Sequence, residues 1–451
     1  MGLDLKSRYE FWYYVSVGAG LANATASFMM MAGLFELVRG LWVAVAIAGA
    51  GALCCMIASS VGEQASLFPG SSGIRTYLKA SLGNQVSLFL VYNYLAFVVL
   101  VAGIESHLFG LVVNAAFPSF PPRAAAMTVL AATIVINLIG LEVPRVVQVV
   151  GTAILVLGIA AVGLGGLLLA PNLGILYRET FQGDGLRSAL LLPAAIGMGF
   201  FLLVGFEWVT PLGFGPRAYE RLIPRSMVTA IVVTIVINVL FVIGLAAQFA
   251  RPAIVANPVP QIDLAVSLLG GGGRIASLFL CVLATLSTFN AGLLGGSRLI
   301  YSLAREGYFF KFCTAVSIRG VTYGATWLMG GICIAASLLV IHFGWEMVAA
   351  VIGSAIVCFV YASLVYSLIR LRRSRPDQKR AYRSSIPVGV YWALIVVLPM
   401  LGTVSLFATP GLGLRPVWGF LICVTVSSAM TKWFLYAKGA PGGQASLAVS
   451  R

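Results

Sequence analysis

Long stretches without a charged residue alternate along this chain with short polar breaks. Trp42 to Ile57, Met127 to Leu141, Val146 to Ala170 and Val228 to Gln248 are such stretches, and another begins at Ile386 after a basic loop. About 20 apolar residues cross the hydrocarbon core of a bilayer as a helix. Inside lipid every backbone N–H and C=O must be bonded internally, which leaves helices or closed barrels. A barrel strand alternates apolar and polar positions over about ten residues. These stretches are apolar all round, so the pattern predicts helices. It divides into about twelve spans: 11–38, 41–60, 84–113, 124–141, 146–170, 189–215, 226–249, 275–304, 322–342, 347–370, 386–408 and 416–437. Turn residues punctuate them at Pro69-Gly70, Pro118 to Pro122, Pro171, Pro252, Gly270 to Gly273, Pro376, Pro387 and Pro410.

Two spans break the pattern. The first holds Gly18-Ala19-Gly20-Leu21-Ala22-Asn23-Ala24-Thr25, and the sixth holds Gly205-Phe206-Glu207-Trp208-Val209-Thr210-Pro211-Leu212-Gly213. Proline lacks an N–H, and glycine costs a helix about 1 kcal/mol relative to alanine. Each break falls in the opening helix of a block of five, 11–170 and 189–370. Matching interrupted helices in two halves point to an inverted-repeat carrier. Five is odd, so the second block enters from the opposite side. The expected fold is therefore an all-α polytopic membrane protein with a 5+5 inverted repeat, discontinuous helices 1 and 6, and two further helices. The expected divisions are 1–171, 189–371, 386–437 and a cytoplasmic tail, 438–451. Close helix packing is the alternative use of these glycines.

Composition agrees with lipid burial. The 451 residues are 60% hydrophobic and 10% charged, against roughly 25% charged in soluble domains. The net charge of +15 would suggest nucleic acid in a soluble protein. Here the charges sit between spans and report orientation. With the N-terminus in the cytoplasm, 22 of the 29 basic residues fall inside and 7 outside, the bias expected for an even number of spans with both ends cytoplasmic. The inside set includes a cluster at Arg370, Arg372, Arg373, Arg375, Lys379, Arg380 and Arg383. That loop also suits anionic lipid, although topology alone explains it. Met1 to Glu10 lacks a signal-cleavage pattern, so the run from Phe11 reads as a retained span. The cell's inner (plasma) membrane is the expected location.

Seven cysteines, Cys54, Cys55, Cys281, Cys313, Cys333, Cys358 and Cys423, lie in or near apolar stretches without metal-site spacing. They read as small packing residues. The two histidines, His107 and His342, are too few for a metal cluster. No cofactor is implied. A membrane-embedded enzyme would need convergent nucleophile, base or ligand groups, and none is apparent. A channel usually oligomerises around repeated pore helices. The chain has no G-x-x-x-x-G-K-[ST] loop for ATP.

Four patterns, over about 11–437, resemble the amino acid–polyamine–organocation permeases, which have the LeuT-type fold. They are Gly18-Ala19-Gly20; Phe201-Leu202-Leu203-Val204-Gly205-Phe206-Glu207 followed by Ile223-Pro224-Arg225; Gly296-Ser297-Arg298-Leu299-Ile300-Tyr301-Ser302-Leu303-Ala304-Arg305-Glu306-Gly307; and Pro69-Gly70-Ser71-Ser72-Gly73 with Tyr77 and Gly83. Departures are Leu21-Ala22-Asn23 after the first-helix glycines, and Gly215-Pro216-Arg217 where the family usually has Asn-Pro. Some proton-coupled relatives carry a buried Lys in the fifth helix; here 146–170 has no charge. The resemblance implies alternating-access transport of an amino acid or related amine, with Phe201 as an aromatic gate and Glu207 as a gating group.

Unwound helix ends offer N–H groups to a carboxylate and carbonyls to an ammonium or a cation. A zwitterionic amino acid presents both. The expected substrate site is therefore Gly18, Ala19, Gly20, Asn23, Phe201, Gly205, Glu207 and Trp208, with the carboxylate on first-helix N–H groups. Thr25 is a further contact. Glu207 and Glu105 are the acids at membrane depth, where a charge costs at least about 2.5 kcal/mol and needs a cavity or partner. They are candidates for coupling or gating, as are Thr285 and Thr288. In sodium-coupled relatives, eighth-helix hydroxyls meet first-helix carbonyls around the ion, so Na+ at Thr285 and Thr288 stands beside H+ as the coupling alternative. Hydroxyls that bond back to their own helix would explain the same residues. Ser287 is a third hydroxyl there. His107 reads as structural, Asn93 needs a partner, Tyr92 and Tyr94 lie beside it, and Glu36 and Glu63 read as interfacial. Few charges at the breaks favour a neutral or modestly polar solute, with the two acids keeping a cationic one open.

Overall fold

A computed structural model describes residues 5–69, 73–140, 144–171, 173–182, 185–212, 221–317 and 320–439. Gly70, Ser71 and Ser72 of the loop motif, Leu141, Gly213, the Gly215-Pro216-Arg217 departure, Arg319 and tail residues 440–451 lie outside the described residues.

The described residues form helices and connecting turns, without a strand. Numbering the main helices in chain order, the first block runs α1 Leu5–Ala22, α2 Thr25–Leu37, α3 Leu41–Leu67, α4 Ile74–Ala116, α5 Pro122–Ile139 and α6 Arg145–Leu168. The second runs α7 Gly185–Gly199, α8 Ile223–Gln248, α9 Pro260–Leu269, α10 Gly272–Arg305, α11 Tyr323–Phe343 and α12 Glu346–Ser374, and α13 Val388–Ala408 and α14 Arg415–Gly439 follow. Among them, 11 spans are long and apolar enough to cross a membrane, and the bent pair α1–α2 brings the total to 12. The twelve expected spans are thus all present. α4 is longer than its span because Gly83 breaks it at φ 81°. Its membrane-crossing part starts at 84, where the apolar pattern starts.

Burial grades the helices by position. The apolar windows of α12 and α4 are 89% and 72% buried within the protein, those of α14 and α6 only 17% and 22%. The first two form the packed centre. The exposed Leu157, Leu164, Ile422 and Trp433 lie on the outer two, where lipid replaces water as the surrounding medium.

Ion pairs tie loops to the bundle. At one end Glu306, just after α10, meets Arg75 (3.0 Å) and Lys79 (2.8 Å) from the start of α4. Lys438 of α14 donates to the Glu306 carbonyl (2.8 Å). Partial burial pushes the Glu306 carboxyl upward, but Lys79 and Arg75 outweigh it and hold the group below its ordinary range. Glu63, near the end of α3, is fully buried within the protein. It accepts from Arg372 at 2.9 and 2.5 Å and from the Ser384 N–H at 2.9 Å, and pairs with Arg380 at 3.2 Å. A carboxylate with this many charge-assisted donors is stable without water. Arg372 in the last turn of α12 and Arg380 of the basic loop therefore both meet the end of α3 through Glu63.

Candidate functional site

The first span is broken between α1 and α2, with a 55° bend. The break lies at Asn23-Ala24, one turn beyond the glycines. Gly18, Ala19 and Gly20 stay in the regular part of α1, so the expected unwinding is displaced by a turn. Close packing explains the glycines. A Cβ on Gly20 would lie 2.7 Å from Ser287 Oγ and 3.1 Å from Gln148 Nε2 and Thr152 Oγ1, and one on Gly18 would lie 3.1 Å from Ala230 Cβ.

Glu105 of α4 holds the break open. Its Oε1 accepts from the Thr25 N–H (3.0 Å) and from Thr285 Oγ1 (2.6 Å), and its Oε2 accepts from the Ala26 N–H (2.7 Å). Thr25 Oγ1 stands 2.9 Å from Thr285 Oγ1. Thr285 spends its proton on Glu105, so Thr25 donates to Thr285. An anion at the start of a helix satisfies its free N–H groups and its dipole. Those N–H groups were expected to receive a substrate carboxylate; the protein's own glutamate has taken them. Asn23 Nδ2 donates to the Ala19 carbonyl (2.7 Å) and to Thr234 Oγ1 (3.2 Å) of α8.

The sixth span loses its regular winding after Gly199. Short 3₁₀ turns, Phe200–Leu202 and Phe206–Leu212, flank a turn at Leu203 to Gly205. Gly205 has φ 122°, a region that only glycine enters without strain. Glu207 is buried and closes the turn: its Oε2 accepts from the Gly205 N–H (3.2 Å) and from Tyr361 Oη (2.9 Å), and its Oε1 accepts from Tyr94 Oη. Trp208 stacks on Tyr94, with ring centroids 6.0 Å apart. The indole fits because α10 has glycine at 295; a Cβ there would fall 1.5 Å from Trp208 Cζ3.

Between the two breaks lies a chamber. Leu21, Ala22, Ala24 and Ser27 line it from the first span, and Phe201, Val204, Gly205 and Trp208 from the sixth. Phe97, Val98, Val101 and Ala102 of α4, Leu130, Thr133 and Ile134 of α5, Thr288, Phe289, Gly292 and Leu293 of α10, and Met329 and Cys333 of α11 complete it. No charged side chain is among them. The chamber has a cavity volume of about 70 Å³, several times the roughly 10–15 Å³ that a single water needs. Phe201 meets Phe97 edge-on at 6.5 Å.

The structure thus gathers Phe201, Gly205, Trp208 and Thr288 on one wall system. It sets Glu207, Glu105 and Thr285 just behind the breaks. Gly18, Ala19, Gly20 and Asn23 are not among the lining residues. His107 faces away, paired with Glu346 at 2.9 Å, as its two-residue offset from Glu105 requires. Asn93 bonds back to the Phe89 carbonyl (2.9 Å) and Tyr92 Oη donates to the Tyr308 carbonyl (2.5 Å). Two groups escaped the sequence reading. Tyr361 gave no signal among the other aromatic residues. Gln148, a polar residue inside an otherwise apolar run, was visible. Its Nε2 joins the Ser16 carbonyl (3.4 Å), Thr152 Oγ1 (3.2 Å) and Ser287 Oγ (3.2 Å), linking α1, α6 and α10.

Comparison with known proteins follows the same lines. The sequence profile described as amino acid permease matches residues 10–429. An uncharacterized transporter of Mycobacterium tuberculosis is 27% identical over 315 residues, which span 67% of this chain and 66% of that relative's length. The low-affinity putrescine importer PlaP of Escherichia coli is 24% identical over 335 residues, 70% of this chain and 71% of its own. An uncharacterized amino acid permease of Bacillus subtilis, YtnA, is 21% identical over 438 residues, 91% and 90% of the two chains. Among solved structures, a manganese transporter of Eremococcus coleocola superposes with a TM-score of 0.62 over 96% of this chain and 94% of that one, at 12% identity. That likeness concerns the fold.

Proposed function

The chain belongs to the amino acid permease family, a family of transporters and not of enzymes, and from that premise we propose that it is a secondary carrier moving one amino acid or related small amine per cycle by alternating access. One observation carries the reading: two membrane helices lose their winding at the same chamber, and residues from both breaks line it. Irregular backbone at membrane depth is tolerated where it lines a cavity. The blocks 1–171 and 189–371 act as the two inverted repeats that move around the chamber, with 386–437 as accessory helices. The charge bias supports termini on the cytoplasmic side, and a plasma-membrane location goes with this reading. The span of the named relatives, from a putrescine importer to an amino acid permease, agrees with this range of solutes.

Phe201 and Trp208 close the chamber around the apolar part of the solute. Glu207 links the sixth-span break to α4 and α12 through Tyr94 and Tyr361, so a change at the break is passed to the packed centre. The test is uptake by purified protein in liposomes of a panel of labelled amino acids and amines, with sodium and pH gradients applied in turn. Saturable uptake of at least one solute is expected, and the gradients identify the coupling ion. No uptake from the whole panel would end the carrier reading.

A further inference from the structure

We propose that the solute is a primary amine that lacks an α-carboxylate and carries an apolar body. The proposal rests on the carrier reading and narrows it. A zwitterion needs donors for its carboxylate as well as acceptors for its ammonium group. At the first break the Thr25 and Ala26 N–H groups are spent on Glu105. At the second, the Gly205 N–H is spent on Glu207. In an unbroken helix Thr25 and Ala26 would bond the carbonyls of Leu21 and Ala22. Glu105 releases both carbonyls, and both residues line the chamber; Ala22 takes the Ser27 hydroxyl in exchange (2.9 Å). Ser27 and Thr133 have given their hydroxyl protons to carbonyls, at 2.9 and 2.8 Å, and retain only lone pairs. Thr288, also in the chamber wall, keeps an unpartnered hydroxyl, so apart from that one neutral donor these groups present acceptors.

Charge points the same way. Both oxygens of Glu105 and both of Glu207 lie against hydrogen-bonding partners of the protein. Among the described residues no Lys, Arg or His makes an ion pair with either. Two buried acidic side chains thus stand beside one chamber with no cation of the described residues paired to either, so a positively charged visitor would favour their ionised form whereas a second carboxylate would oppose it. The faces of Phe97, Phe201, Trp208 and Phe289 suit an apolar body and attract a cation.

The experiment uses matched pairs that differ only in the α-carboxylate: phenethylamine with phenylalanine, isobutylamine with valine, isoamylamine with leucine. Uptake is counted above that of protein-free liposomes, and binding is measured on the solubilised protein. The amine of each pair is expected to be preferred at least tenfold. Equal or greater preference for the amino acids overturns this inference and leaves the carrier reading standing; no binding or uptake of either member of any pair also overturns this inference, and the carrier reading falls with it only if the wider panel gives no uptake. Replacing Glu105 frees two N–H groups, so Glu105→Ala is expected to shift the amine-to-amino-acid ratio at least tenfold toward the amino acid. An unchanged ratio in an inserted variant overturns the proposal, and if the variant fails to insert, the wild-type pairs decide it.

Discussion

Gly205→Ala tests the geometry of the chamber most directly, because Gly205 is where the two breaks touch. Its φ of 122° is strained for any residue with a side chain, at about 1–3 kcal/mol. The new Cβ would also stand 2.7 Å from Leu21 Cβ, with Ala22 N at 3.5 Å behind it. Overpacking of this kind costs about 1–3 kcal/mol. Together the two terms come to about 2–6 kcal/mol if the backbone stays in place. If instead the turn rotates to relieve the strain, the Gly205 N–H leaves Glu207 and the chamber wall changes shape. Each 1.4 kcal/mol lost from the solute-bound state lowers affinity about tenfold. Both routes predict a loss of uptake of at least about tenfold with normal membrane insertion, and a lower melting temperature for the purified protein. Gly331→Ala is the control, since a Cβ there meets nothing within 4 Å. Wild-type uptake and melting in Gly205→Ala would refute the reasoning.

Three further outcomes follow from other contacts. Glu207→Gln replaces an acceptor of three donors with an amide that offers protons back, leaving a buried donor unsatisfied at about 1–3 kcal/mol; uptake should fall about tenfold or more, and unchanged kinetics in liposomes would remove Glu207 from the site. Gly295→Ala puts a methyl group where the Trp208 ring lies, so the indole must turn and solute affinity should drop, read by thermal-shift titration against the wild type. The Glu306 carboxyl is held low by Lys79 and Arg75, so it stabilises the fold above its ordinary value of 4.5 and loses that contribution as pH falls through the lowered value. The melting temperature should therefore respond to acid less steeply in Glu306→Gln than in the wild type; identical acid profiles would show that the cluster contributes nothing.

The sequence by itself determined the membrane class, the span limits and the two spans whose winding fails. Those are local facts. A run of apolar residues either covers the bilayer or does not, and glycine and proline weaken a helix whatever packs against it; that the first span opens a turn beyond Gly18 to Gly20 depends on Glu105. Even the start of the third span was written locally, in Gly83. The partners were not. Glu105 stood out as an acid at membrane depth, yet nothing near it in the chain says that it caps the start of a helix 80 residues earlier. The roles of Gly18 and Gly20 depended on Ala230, Ser287 and Gln148, which only assembly brings close. Glu63 gains its arginine partners only when the chain after α12 folds back onto it. Helix rotation and tilt decide which side chains meet, and those are set by packing against neighbouring helices. Tertiary structure alone therefore decided that both acids turn toward the breaks and take up their free N–H groups.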